Sequence, residues 1–342
     1  MSDPQPSITP PLQDAASLPT GHVGLIAIVG RANVGKSSLI NAILEEKVSI
    51  VSPVAQTTRN VVRGILTEPR GQLVFLDTPG VHKAASDLGK LMNKMARTSV
   101  EGCDLILFVL DASQPPREED RGWMSRLQRQ PLPVVAVLNK SDAGPSYAEA
   151  HRAQWSEVSR GLAESMRAAK EAAAAETAAP RDENSLFVNT QEPIWLETSA
   201  MNGTGVPGLV AKLFALVPEG PYLFPDNVLT DYPRRLAIAD VIREKLYACL
   251  HDELPHAVAV WVEKLEEGEH EWQVSAVIYV TKPSQKGIVI GTKGRLLRKV
   301  KRSSEGELTA IYGHPVQLQL WVKIEKDWSK NFWLLKKVGY MN

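Results

Sequence analysis

The 342-residue chain is 44% hydrophobic and 23% charged, with 39 Lys+Arg against 39 Asp+Glu, the make-up of an ordinary globular protein long enough for two domains and unlike that of a disordered chain. Its two cysteines, Cys103 and Cys249, lie far apart with no Cys/His cluster, which argues against a disulfide framework or zinc site and fits a reducing cytoplasm. The zero net charge hides an asymmetry. Residues 1–229 carry 21 basic and 25 acidic side chains, a balance of −4, and residues 230–342 carry 18 and 14, a balance of +4, so the halves are expected to do different work.

In chain order, residues 1–21 read as a disordered, proline-bearing extension without the basic-flanked apolar core of a signal peptide. No apolar run is long enough for a spanning helix, which leaves peripheral membrane contact open. The apolar stretch Leu25 to Val29 then enters Gly30-Arg31-Ala32-Asn33-Val34-Gly35-Lys36-Ser37, followed by a helical pattern from Ser38 to Leu44. The spacing G-x-x-x-x-G-K-S between a strand and a helix aims successive backbone N–H groups and a helix dipole at one point, where phosphates bind. Gly30 and Gly35 let the backbone wrap closely, and Asn33, Val34 and Ser38 complete the cradle. Lys36 supplies a cation for the terminal phosphates, and the Ser37 hydroxyl can ligate Mg²⁺.

Further along, Gln72 to Leu76 reads as a buried strand ending in Asp77-Thr78-Pro79-Gly80. There the Asp77 carboxylate can hold a magnesium water and the Gly80 N–H can meet a γ-phosphate. Val134 to Leu138 ends in Asn139-Lys140-Ser141-Asp142. A carboxylate such as Asp142 accepts two hydrogen bonds from guanine N1 and its exocyclic amine, a pair that adenine does not offer. Ile194 to Leu196 leads to Glu197-Thr198-Ser199-Ala200, where the Ala200 N–H, beside Ser199, could meet guanine O6. Taken singly, each has a plainer reading as a helix cap or a turn. Four such elements in this order, each at the end of a predicted strand, describe a site for GTP or GDP with Mg²⁺.

Predicted strands at about 24–29, 60–67, 72–77, 104–110, 133–138 and 194–198 alternate with helical stretches, the pattern of a doubly wound α/β P-loop domain. Its predicted span is 22–219, with ligands at the carboxyl ends of the strands. An alanine-rich insert at about 145–190, including the tract from Arg167 to Ala179, predicts an exposed helix and then a loop over Pro180 to Asn184. A neutral surface extension is the simpler reading of it, a partner-binding insert the sharper one. Gly220-Pro221-Tyr222-Leu223-Phe224-Pro225-Asp226 reads as a linker (220–229), because neither a helix nor an internal strand accepts that proline density.

In the second half, a predicted helix from about Leu236 to Leu250 precedes a hairpin of Ala257 to Lys264 and Trp272 to Val280 around an acidic turn at 266–269. Between Lys282 and Arg302 there are eight Lys+Arg and no acidic residue. Within this run, Gly291-Thr292-Lys293-Gly294 opens a basic helix carrying Arg295, Arg298, Lys299, Lys301 and Arg302, with Lys286 ahead of it. A G-x-x-G loop of this kind clamps the backbone of about four single-stranded nucleotides. The plainer reading is a glycine-punctuated helix-turn-helix with a solvated basic face. Trp261, Trp272 and Trp321 sit on apolar strand patterns and are expected in the core, as are Leu91, Met92 and Met95 at helical spacing. Trp328 and Trp333, among Lys326, Lys330, Lys336 and Lys337, could contact RNA or dock a terminal helix, and docking is the favoured reading.

Together the segments GRANVGKSSLINA (30–42), SPVAQTTRN (52–60), DTPG (77–80), LMNKMAR (91–97), NKSD (139–142) and the basic C-terminal segment resemble the Era family, KH-domain GTPases of the translation-factor class. The resemblance covers about residues 22–330. It implies a smaller α+β KH domain at 230–330 with a tail at 331–342, and a GTP-hydrolysing switch whose catalytic positions include Lys36, Thr58 and Gly80. It favours Thr58 over Thr57 as the threonine that joins Ser37 and Asp77 at Mg²⁺. It likens Asn33 to an asparagine that holds a potassium ion beside the phosphates. It also implies a partner, the 3′ region of small-subunit rRNA in the assembling 30S-type subunit, bound by a cytoplasmic monomer, with membrane contact at the inner face of the cell membrane. Because Val81, after Gly80, cannot orient water as a glutamine would, intrinsic turnover is expected to be slow. The alternatives are a related GTPase acting on tRNA or the large subunit, and a constitutive RNA-binding module with a structural nucleotide site. A nucleotide kinase is disfavoured by NKSD.

Overall fold

The computed structural model describes residues 19–52, 54, 57–80, 87–175 and 192–340. The expected loop at 180–184 and Val81 lie outside the described residues, as does the extension before Pro19.

A first sheet contains β1 (Thr20–Val29), β2 (Val62–Glu68), β3 (Gly71–Asp77), β4 (Leu105–Asp111), β5 (Val134–Asn139), β6 (Ile194–Glu197) and β7 (Glu219–Pro221). Its order is β2-β3-β1-β4-β5-β6, with β7 on β1. The strands from β3 through β1, β4 and β5 to β6 are parallel. β3, β4 and β5 are buried along their whole length, as strands covered on both faces must be. β2 is an antiparallel edge, because the short step from Glu68 to Gly71 leaves no chain for a crossover.

The covering helices are α1 (Lys36–Leu44), α2 (Asp87–Thr98), α3 (Glu118–Leu127), α4 (Ala148–Ala175) and α5 (Val206–Phe214). Alternation along β1 sorts the two faces. Ile26 and Ile28 enter a core with Leu39 and Ile40 of α1 and Leu209 of α5. Ala27 and Val29 enter the opposite core, with Trp123 of α3 and Trp155 of α4. The doubly wound expectation therefore holds, and the carboxyl ends of β1, β3, β5 and β6 deliver the phosphate loop and the three downstream motifs to one edge.

One expectation about connections needs correction. The proline-rich linker begins as a strand, with Thr20, Gly21 and His22 opposite Pro221, Gly220 and Glu219. A short strand that ends at a proline is tolerated because it occupies an edge. The linker is also clamped: buried Gln72 accepts from the Leu223 and Phe224 N–H groups at 2.8 and 2.9 Å and donates to Phe224 O at 2.9 Å. The helix expected in the alanine-rich tract is present over residues 167–175 as the end of α4; residues 176–179 lie outside the described residues. The first turns of α4 are held by Trp155, Val158 and Leu162 in the core.

The second unit contains α6 (Arg234–Tyr247), α7 (Leu254–Ala257), β8 (Ala259–Glu267), β9 (Trp272–Val280), α8 (Pro283–Ile290), α9 (Arg295–Tyr312), β10 (Val316–Ile324) and α10 (Phe332–Lys337). Its sheet order is β10-β9-β8. β8 and β9 form the expected antiparallel hairpin, and β10 runs parallel to β9 at the edge. Ile242, Leu246, Val274, Ile278, Val300 and Leu318 lie in its core. Trp328 docks as expected, fully buried, its indole N–H donating to Ala257 O at 2.9 Å. Trp333 does not. It is 74% exposed, because α10 turns Leu334 and Leu335 inward and its neighbour at 333 falls on the opposite side of so short a helix.

Candidate nucleotide site and nucleic-acid groove

The phosphate loop leaves β1 and closes on α1 with Gly35 as the N-cap, at φ 98°. A Cβ at Gly35 would lie 2.3 Å from Asn139 Nδ2, so glycine is demanded by both conformation and space. Lys36 is buried, and its ammonium donates to the Gly30 and Arg31 carbonyls at 3.3 and 3.0 Å. Burial pushes it down to about 8, with Asp77 pulling the other way and Arg31 adding to the fall. A phosphate anion in front of this loop would offset the desolvation.

Three oxygens converge beside it. Ser37 Oγ donates to Asp77 Oδ2 at 2.7 Å and lies 2.9 Å from Thr58 Oγ1. Burial raises the Asp77 pKa, while Lys36 and Ser37 act against the rise, and Asp77 Oδ1 is buried without a hydrogen-bond partner. A hard oxygen set with one orphaned carboxylate oxygen suits Mg²⁺ and its waters, with Ser37, Thr58 and Asp77 as the residues that would hold it. Thr57, the alternative, donates its hydroxyl to Val54 O at 2.6 Å and is not among them. Gly80 closes the site from the far side: a Cβ there would lie 2.6 Å from Ala32 Cα. The cavity bounded by Asn33, Gly35, Lys36, Ser37, Thr58 and Lys140 measures about 550 Å³.

The loops expected to read the base are tied to the phosphate loop. Asn139 Nδ2 donates to Val34 O at 3.0 Å, and Asn139 Oδ1 accepts from the Ala200 N–H at 3.1 Å and the Thr198 hydroxyl at 3.3 Å. The Ala200 N–H expected for guanine O6 is thus already engaged and would have to be shared. Ser199 is buried, whereas the Asp142 side chain is open to solvent. Lys140 donates to Asn33 O at 2.7 Å and to Asp111 Oδ2 at 2.8 Å.

Sequence reasoning missed Asp111. It ends an apolar strand as Asp77 does, which was the available signal. Burial pushes its carboxyl up, but the Lys140 and Ser113 donors outweigh that and hold it below the ordinary carboxylate range. Arg31 completes the network, 3.7 Å from Asp111 and 3.2 Å from Asp120, so phosphate loop and base loop share one set of buried charges.

At the other site, Gly291 and Gly294 both have φ 73°, and Thr292–Gly294 form a tight turn between α8 and α9. Thr292, Lys293, Arg295, Arg298 and Lys299 are exposed at the positive end of α9, with Lys286 half-buried on α8. Beside them, a groove of about 400 Å³ is lined by Gly294, Leu297, Arg298, Leu318, Leu320 and Trp321. Trp321, expected in the core, is 45% exposed. Its backbone pairs with Val277 of β9, but its outward alternation on the edge strand β10 leaves the indole uncovered. An apolar floor with an indole and a rim of cations is the arrangement that stacks bases while neutralising phosphates.

Comparison with known proteins agrees with the two-domain architecture. A family model described as a 50S ribosome-binding GTPase matches residues 25–140, and a KH-domain model matches residues 253–329. The chain is similar to the GTPase Era of Caldanaerobacter subterraneus subsp. tengcongensis, 39% identical over 324 residues that cover 93% of this chain and 98% of that one. It is similar to the GTPase Era of Geobacter sp. at 39% over 319 residues, 93% and 97% of the two chains. Among solved structures, Era in complex with MgGDPNP and nucleotides 1506–1542 of 16S ribosomal RNA aligns with a TM-score of 0.77 at 32% identity, over 94% of this chain and 100% of that one. An Aquifex aeolicus Era variant bound to GDP and AlF4⁻ aligns with a TM-score of 0.78 at 32% identity and the same coverage. With a GTPase domain and a KH domain in one chain, and relatives this similar over nearly its full length, the protein belongs to the Era family of GTPases, which hydrolyse GTP to GDP and phosphate.

Proposed function

We propose that this GTPase is a molecular switch that binds single-stranded rRNA near the 3′ end of small-subunit rRNA through its second domain, and that it assists assembly of that subunit. The observation that carries this reading is the presence, in one chain, of a converged Ser37, Thr58 and Asp77 oxygen set and a glycine-loop groove with cationic rim and indole floor. The similar protein solved with MgGDPNP and nucleotides 1506–1542 of 16S ribosomal RNA supports the choice of RNA. In this reading residues 22–219 bind GTP, 220–229 link, and 230–330 bind RNA. The protein works as a cytoplasmic monomer with peripheral contact at the inner face of the membrane. No helix among the described residues is long and apolar enough to cross a membrane, but exposed Phe332 and Trp333 beside Lys330, Lys336 and Lys337 have the aromatic and basic character of an interfacial surface.

A switch requires that GTP favour the RNA-competent arrangement, and reciprocity requires that RNA tighten GTP binding by the same factor. RNA affinity measured with a GTP analogue is expected to exceed that with GDP by roughly five- to 150-fold, the usual range of such couplings. Equal affinity with GDP, analogue and no nucleotide would make the chain a constitutive RNA-binding module. Sequencing of crosslinked RNA separates the small-subunit target from tRNA or the large subunit.

Potassium enters through Asn33, which holds a left-handed φ of 66° in the phosphate loop. We expect exchange of sodium for potassium to raise turnover in the parent and to leave Asn33→Ala unchanged. A parent indifferent to the cation would end this part of the reading.

A further inference from the structure

The residue after Thr58 turns away from the nucleotide. Arg59 is 1% exposed and is buried in the second unit. Its Nη1 donates to Val258 O at 2.9 Å and Tyr340 Oη at 3.1 Å, and its Nη2 donates to Pro255 O at 3.1 Å. The guanidinium carbon lies 5.5, 5.8 and 6.0 Å from the ring centroids of Tyr340, Tyr247 and Trp328. A buried cation is costly unless it is partnered, and three oxygens on Nη1 and Nη2 together with three aromatic rings compensate this one, while its Nε is buried without a hydrogen-bond partner.

Neighbouring residues are held from the same side. Arg243 Nη2 donates to Thr57 O at 2.8 Å, and its Nη1 donates to Tyr340 Oη at 2.9 Å and pairs with Asp240 at 2.7 Å. Asn60 Nδ2 donates to Tyr232 Oη at 2.6 Å. Upstream, the Val51 N–H donates to Glu244 Oε2 at 3.2 Å, and Ile50 lies in the core of the second unit. Thr58 therefore faces Ser37 at 2.9 Å while the residues on either side of it are fastened to the other unit. A planar guanidinium with its donors in fixed directions leaves little room for the backbone of residue 58 to slide independently.

We infer that Arg59 is a positioning residue, through which the RNA-binding domain sets the place of Thr58 and so the discrimination between GTP and GDP. The aromatic cage of Tyr247, Trp328 and Tyr340 is the seat of that coupling. The inference rests on the reading of Thr58 as the threonine that senses the γ-phosphate. It assigns to the last turns of the chain a part in nucleotide recognition, although Tyr340 is 282 residues from Thr58 in sequence (340 − 58).

The test uses the full chain with Arg59→Lys, which keeps the charge but not the fork, and Tyr340→Phe, which deletes one hydroxyl and keeps the ring. GDP affinity, GTP-analogue affinity, kcat, KM and the thermal midpoint are measured together. Arg59→Lys is expected to leave GDP affinity within about twofold while the preference for the analogue over GDP and kcat each fall about tenfold, the loss expected when a directional contact is replaced by a point charge. Tyr340→Phe should move the same two quantities by about threefold, as one neutral hydrogen bond is removed. If both variants keep the parent's preference and kcat, changing only the thermal midpoint, Arg59 is a structural anchor and the inference is overturned. Thr58→Ala in the same assay separates the layers. Lost discrimination there, with discrimination kept in the other two variants, overturns the inference alone. Retained discrimination in Thr58→Ala overturns both it and the reading beneath it.

Discussion

Gly294→Asp is expected to reduce RNA affinity by at least roughly a hundredfold, about two phosphate contacts' worth at low salt, while GDP affinity stays within about twofold of the parent because the site lies in the other domain. Three effects combine. Gly294 has φ 73°, a conformation that costs a residue with a Cβ about 1–2 kcal/mol. Its Cβ would stand 3.2 Å from Arg298 Nη1, so the new carboxylate would neutralise a rim cation. It would also place negative charge where the RNA backbone must approach. Two milder variants separate these causes. Lys293→Ala is expected to weaken binding modestly and flatten the salt dependence by about one phosphate, and Trp321→Ala to cost about 1–3 kcal/mol through lost stacking without changing the salt slope. Anisotropy titrations at several salt concentrations read all three. Parent-like affinity in Gly294→Asp would remove this groove from the RNA reading.

Asp142→Asn is expected to move nucleotide preference from GTP to XTP. In the proposed reading the carboxylate would accept from two guanine donors, and hydrogen bonds to a charged group contribute about 1.5–3 kcal/mol each. Guanine affinity should then fall by about a hundredfold or more. Xanthine carries an oxygen at C2, so the amide's donor finds an acceptor there. The loop itself should survive, because its anchors are elsewhere: the Ser141 N–H donates to Thr198 O at 3.1 Å and Lys140 is held by Asp111 and Asn33. Competition among GTP, XTP and ATP checks the result. A variant that still prefers GTP over XTP as strongly as the parent would remove Asp142 from base reading.

Much of the nucleotide site was legible because each of its parts is short and contiguous. Gly30 to Ser38, Asp77 to Gly80 and Asn139 to Asp142 each sit directly after an apolar strand. Parallel strands in one sheet bring their carboxyl ends together whatever the intervening chain does. The glycine loop at 291–294 was legible for a similar reason: its geometry depends on two glycines and the helices on either side.

Contacts between distant segments leave no such trace. The choice of Thr58 over Thr57 depends on which hydroxyl faces Ser37 and which turns back to Val54, in a segment whose Thr57 carbonyl and Arg59 side chain are held by the second unit. Whether an indole is core or surface depends on the partners that cover its strand or helix, so Trp272 is buried on β9 while Trp321 is open on the edge strand beside it. Proline density pointed to a linker from residue 220 and gave no sign of the β7 edge, because a three-residue pairing is decided by the neighbour it meets. Local spacing and apolar periodicity were enough to specify the α/β sheet, the phosphate loop and the glycine loop. The joining of the two domains through Arg59, Arg243 and Tyr340 was decided only in three dimensions, because the Val258, Tyr340 and Thr57 partners of Arg59 and Arg243 lie 97 to 281 residues away along the chain, and the burial that makes their pairing necessary exists only after the chain has folded.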